Sequence, residues 1–151
     1  MGVLPDAAQS GPPGQNGPPA QNGLVALKSA FPVKETLDRL AHLVESKGLT
    51  VFCRIDHAAG AKEAGLPLRP TELLIFGNAR GGTPLMQATQ TIGIDLPLKA
   101  LAWQDASGQT WLSYNDPAWL VSRHGIEALG VAPATAIGTM LSAVTRSAAM
   151  P

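Results

Sequence analysis

The run from Leu73 to Met86 hands an extended segment to a helix across a short polar loop, and this constrains the fold more than any other stretch. Leu73-Leu74-Ile75-Phe76 is a block of large apolar residues bounded by a turn signal, which reads as a buried strand. Gly77 breaks it. Thr83-Pro84 reads as the N-cap and first helical residue, because proline lacks only an N–H that the first turn cannot use. A helix start presents unpaired N–H groups at the positive end of its dipole. Loop 77–83 is therefore the expected seat of a small anionic ligand, with Asn78, Arg80 and Thr83 beside it. The same residues also have a purely structural use: Asn78 pins the turn, Thr83 caps the helix and Arg80 is solvated.

Around this centre the periodicities give an order of β-α-β-α-β-α-β-β-α followed by a further helix. Leu24 to Ala30 reads as a strand. Val33, Leu37, Leu40, Ala41 and Val44 share one face of a helix that Pro32 opens and Gly48 closes. Leu49, Val51, Cys53 and Ile55 alternate with Thr50, Phe52 and Arg54, which places Cys53 in the core as a small hydrophobe. Asp105-Ala106-Ser107-Gly108 joins two strands as a hairpin, and Asp116-Pro117 starts a short helix. Alternation suggests parallel crossovers and the hairpin adds an antiparallel pair. The expected fold is thus α+β, a single two-layer domain with a mixed five-stranded sheet and helices mainly on one face. The Gly-rich fingerprint of a dinucleotide fold is absent, since Ser29-Ala30-Phe31-Pro32 follows the first strand.

Three segments are expected. Residues 1–23 hold five Gly and five Pro with almost nothing to bury, and read as a disordered tail. Residues 24–126 form the domain, and 127–151 a linker and helix. In that helix Ile137, Met140, Leu141 and Val144 make one narrow apolar stripe, which docks either on the domain or on a partner.

Charge narrows the functional classes. Eleven basic residues balance eleven acidic ones, so no overall field draws nucleic acid or an acidic membrane. No apolar run approaches the ~20 residues that span a bilayer, and the first residues lack a signal-peptide pattern. One cysteine permits no intrachain disulfide, so the expected compartment is the cytoplasm. No metal or cofactor motif is present, and the Walker A pattern that nucleotide hydrolysis would call for is missing.

The segments Arg54-Ile55-Asp56-His57, Arg69-Pro70-Thr71-Glu72-Leu73, Phe76-Gly77-Asn78, Gly82-Thr83-Pro84-Leu85-Met86 and Ile94-Asp95-Leu96-Pro97-Leu98-Lys99 occur in one order. Together they resemble the bacterial family called domain of unknown function 302, from about Leu24 to Gly125. The resemblance implies a small α+β domain, commonly self-associating and hence a homodimer here, with no established reaction. Ala79 stands where that family usually has proline, and Arg80-Gly81-Gly82 makes the loop looser than its pattern.

Two readings of the site follow. The first is a binding module for a small anionic ligand at 77–83. The second is an enzyme with His57 as acid/base, Asp56 orienting it, and Asp95 or Lys99 completing the corner, since an unperturbed imidazole titrates near neutrality. Against the second, Asp56 reads equally as a helix cap, His57 as a first-turn surface residue and Asp95 as a turn residue. Lys99 lies among apolar neighbours, where its head group either has a lowered pKa or reaches out to water. His42 reads as a partly exposed surface residue, and His124 sits at a helix C-terminus, where a cationic side chain is favoured.

Overall fold

The computed structural model describes residues 22–126 and 131–151. Its strands are β1 Leu24–Ser29, β2 Thr50–Asp56, β3 Thr71–Gly77, β4 Leu98–Gln104 and β5 Thr110–Asn115. The helices are α1 Val33–Ser46, α2 His57–Glu63, α3 Ala79–Ala88, α4 Pro117–Arg123 and α5 Val131–Ala149, with a 3-10 segment over Gln90–Asp95.

The sheet runs β1-β5-β4-β3-β2, and every neighbouring pair is antiparallel. The α+β class and the five strands are as the sequence implies; the sense of pairing is the difference from a mixed sheet. β1 and β2 do point the same way, as a β-α-β unit requires. The other three strands lie between them, so the crossover through α1 joins opposite edges and no parallel ladder forms.

α1 buries Val33, Thr36, Leu37, Leu40 and Val44, the i, i+3, i+4, i+7 stripe of an amphipathic helix. These meet Leu74, Phe76, Ala100, Ala102, Leu112 and Tyr114 on one face of the sheet. Buried Thr36 satisfies its hydroxyl on Ser29 Oγ (2.7 Å) and the carbonyl of Pro32 (2.9 Å). Gly48, at φ +81°, reverses the chain after α1, and the Leu49 N–H closes onto the Val44 carbonyl.

α5 lies beside α1 and completes the helical layer, with Leu141, Val144, Ala148 and Ala149 in the same core cluster. Of the two docking surfaces open to the stripe, the domain itself is the one used. Arg39 caps the end of α5, donating to the carbonyls of Ala148 (2.9 Å), Ser147 (3.1 Å) and Met150 (2.8 Å) while its guanidinium covers the Phe31 ring. A cation satisfying the last carbonyls opposes the negative end of the helix dipole. A second, smaller cluster joins Leu85 of α3, Ile92 of the 3-10 segment, Leu120 and Val121 of α4, Ile126 and Ala134.

Cys53 is exposed, which corrects its expected core position. A bulge between Val51 and Cys53 is the cause: Val51 pairs with Phe76 on the helix side, and Cys53 then pairs with Ile75 on the other. One inserted residue inverts the facing of everything beyond it. Ile55 turns outward in the same way and is 40% exposed. The outer sheet face thus carries Ile55, Leu73, Ile75, Leu101 and Trp103, exposed or half-buried. Trp103 lies across it, donating to Ser113 Oγ (2.9 Å) and stacking on Trp111. The β4–β5 turn is held by Asp105, which accepts from Trp111 Nε1 (2.8 Å) and from the hydroxyl of Ser107. Those hydrogen bonds, that of Trp111 foremost, hold its carboxyl down at about 2.

Candidate functional site

α3 begins at Ala79, five residues before the expected start at Pro84, and Asn78 is its N-cap. Asn78 Oδ1 accepts from the Gly81 N–H at 2.7 Å, and its carbonyl accepts from Gly82 at 3.2 Å. The N–H groups of Ala79 and Arg80 are the other donors of that first turn. Thr83 is thus not the cap; it is an exposed residue inside α3, and Pro84 follows it in the helix. Asparagine ranks at least level with threonine as an N-cap, and Gly81-Gly82 offers no side chain to resist the helical turn.

Beside this turn lies a cavity of about 440 Å³, within the range of small-ligand sites. Its walls come from four parts of the chain: Leu49 and Phe52 at the start of β2; Gly77, Asn78, Ala79, Gly81, Gly82 and Met86; Gly93 with Leu96, Pro97 and Leu98; and Ala136, Ile137 and Met140 of α5. Asn78 lines it, whereas Arg80 is exposed and is not in the lining.

The residues of the alternative corner do not converge. Asp56 pairs with Glu72 at one end of the β2–β3 ladder, and Thr50 pairs with Gly77 at the other. Six residues of strand at ~3.3 Å each put His57 about 20 Å from Asn78. His57 is exposed at the first position of α2, and Asp56 caps that helix by accepting from the Ala59 N–H at 2.9 Å. Lys99 pairs with Ile75 on the outer sheet face and donates to the Pro97 carbonyl at 3.0 Å.

Asp95 is committed elsewhere. It accepts two 2.9 Å bonds from Arg123 and meets His124 Nε2 at 2.5 Å, while Thr91 Oγ1 meets His124 Nδ1 at 2.9 Å. The His124 side chain, just past the end of α4, is 8% exposed and is an interior partner of Asp95. This network fastens the segment that supplies the Gly93 and Leu96 wall of the cavity onto the end of α4. Sequence spacing could not pair residues 29 positions apart.

A wider groove of about 910 Å³ opens at the other end, between α1, α2 and the connector 66–70. Its acids are engaged: Asp56 caps α2, and Glu72 accepts from Arg54 at 2.8 Å. Burial works against the Arg54 charge, but the bonds to Glu72 and Asp38 outweigh it and hold its pKa above the ordinary value. Among the described residues no group of three or more His, Cys, Asp or Glu is placed to hold a metal ion, and no helix is long and apolar enough to cross a membrane.

A five-stranded antiparallel sheet under two long helices, with a cavity at the head of α3, defines a small α+β domain. The model of the family called domain of unknown function DUF302 matches residues 25–148, and the chain belongs to that family. The match takes in α5, which the sequence motifs alone had left outside. The crystal structure of an uncharacterized conserved DUF302 protein from Bacillus stearothermophilus superposes with a TM-score of 0.74 at 22% identity, covering 82% of this chain and 96% of that one. At that identity the likeness concerns the fold.

Two sequence relatives carry the name fluoride-specific ion channel FluC 1. That of Brucella suis biovar 1 (strain 1330) is 55% identical over 119 residues, 79% of this chain and 46% of the relative. That of Brucella abortus biovar 1 (strain 9-941) is 55% identical over 119 residues and is covered to 43%. The chain thus spans less than half the length of these relatives.

Proposed function

We propose that this chain is a binding module that takes a small anionic ligand at loop 77–83, with the ligand's charged group at the first turn of α3. The observation behind this reading is the coincidence of that turn, with its Ala79 and Arg80 donors, and the 440 Å³ cavity beside it. The alternative enzyme based on His57 is not favoured, because Asp95, Lys99 and the loop all lie away from that imidazole.

The relatives' name adds a setting. An ion channel must cross a bilayer, and no described helix here is fit to do so. The unmatched half of those relatives is then the conducting part, and the matched half is a module fused to it. On this reading the present chain is an accessory domain of a fluoride-handling assembly. Isothermal titration with fluoride, phosphate and acetate tests both statements. Wild type binds at least one of them, and Arg80→Ala weakens that binding about tenfold, the size of one charge-assisted hydrogen bond. No heat from any titrant sinks the anion site; equal binding by the variant removes the Arg80 guanidinium from it and leaves the backbone donors; silence from fluoride alone removes the channel link from it.

Self-association belongs to the same proposal, through the outer sheet face. Leu101 sits at its centre, paired with Leu73 on one side and Ser113 on the other. Contiguous apolar surface of this kind is a common mark of an interface. Sedimentation velocity at micromolar concentration should show a dimer for wild type and a monomer of unchanged secondary structure for Leu101→Glu. A wild-type monomer across the range overturns the dimer.

A further inference from the structure

The cavity beside α3 is unsuited to a bare inorganic ion. Among the described residues its lining contains no charged side chain, and Asn78 is the one there with an amide or acid group. An anion wholly inside such a space would lose its hydration with nothing of opposite charge to replace it. The remaining wall is apolar and compliant: Met86 and Met140 are unbranched thioethers that adapt to an occupant, and Leu96 and Ile137 fill in between them. Phe52, at the start of β2, is 55% exposed and lines the same space, so an apolar occupant would shield a ring that now faces water.

Glycine sets the free volume. A Cβ on Gly82 would meet Leu96 at 3.5 Å and Met86 at 3.7 Å, both ordinary contacts, so longer side chains there would grow into the cavity. The volume of 440 Å³ equals that of about fifteen waters at ~30 Å³ each, room for a body on the order of ten heavy atoms.

We propose that the ligand is amphipathic: a carboxylate-class head outside, and a neutral apolar body, an alkyl chain or aryl ring, inside the cavity. This rests on the anion reading above and names the body that reading leaves open. The charged head stays at the mouth, near the Ala79 and Arg80 amides, while the chain displaces water from the apolar walls.

The test is titration of the full chain with sodium alkanoates from acetate to decanoate, each below its micellar concentration. Affinity should climb about fourfold per methylene and level off once the cavity is full. Gly82→Leu should flatten the series without lowering the melting temperature, because leucine is the better helix former and its side chain occupies the space. Equal binding of acetate and octanoate overturns the apolar body and leaves the anion reading standing. No binding of any alkanoate, phosphate or fluoride overturns both. A rising series untouched by Gly82→Leu places the chain elsewhere, and binding seen only after removal of residues 1–21 makes that tail the occupant; either result overturns the proposal.

Discussion

Ending the chain after Ile126 should abolish the cooperative thermal transition. The truncation removes α5, whose Leu141 and Val144 are each 1% exposed and whose Ala148 and Ala149 are buried with them. Fully burying a leucine or valine contributes ~1.5–3 kcal/mol, so those two alone account for about 3–6 kcal/mol. The loss also bares the α1 surface against which α5 packs and strands Arg39, which donates three hydrogen bonds to its end. Together these approach the ~5–15 kcal/mol that holds a domain folded. Removal of residues 1–21 should instead move the melting temperature by no more than about a degree or two, because their composition offers a core almost nothing. Melts followed by far- and near-ultraviolet circular dichroism decide it. A sharp transition in the α5 deletion within a few degrees of wild type would reject the assignment of α5 to the core.

The tail deletion stops at residue 21 for a structural reason. Gly23 is buried against Trp119 at φ +76°, and an added Cβ would lie 2.4 Å from the indole. Its carbonyl accepts from the Asp116 N–H at 2.8 Å, and Asn22 Oδ1 accepts from the Leu24 N–H at 3.1 Å. The compositional boundary at residue 23 therefore cuts into the start of the domain. Composition registers where apolar residues begin, whereas a glycine whose role is the absence of a side chain leaves no mark there.

Similar reasons separate what the sequence showed from what it hid. The amphipathic stripe of α1 and the apolar block of β3 carry strong periodic signals, and both elements lie where those signals put them. The alternation in β2 was equally clear, yet it was misleading beyond Val51, because a bulge is a backbone event that no residue type announces here. At α3 two residues competed for the cap. Thr83-Pro84 is the more familiar signature, but Asn78 comes first along the chain, and its side chain closes on Gly81 before Thr83 is reached. The location of a site at loop 77–83 was legible from the strand-to-helix change. Its apolar character was not, since the walls come from β2, the segment before β4, and α5. Asp95 reads in the sequence as part of the His57 corner or as a turn residue before Leu96-Pro97; only the fold shows that Arg123 and His124 occupy its carboxylate.

Phe76→Ala should destabilise the protein by about 3–5 kcal/mol, whereas Cys53→Ser should change stability by no more than ~0.5 kcal/mol. Phe76 is 0% exposed and among the largest fully buried side chains. Truncating it loses the transfer energy of the ring and leaves a void that close-packed neighbours fill only in part. At ~2–4 °C per kcal/mol for a chain of this size, the melting temperature should fall by on the order of 10 °C. Phe76→Leu, which keeps most of the volume, should cost less than about 1.5 kcal/mol. The pair also tests the bulge. Without it Cys53 would face the core beside Val51, and a buried hydroxyl lacking a hydrogen-bond partner would cost ~1–3 kcal/mol. With it the thiol is exposed on the outer sheet face, and serine there meets water. Denaturant titration of the three variants reads both effects on one scale. A Cys53→Ser cost near that of Phe76→Ala would mean that the parity of β2 does not invert.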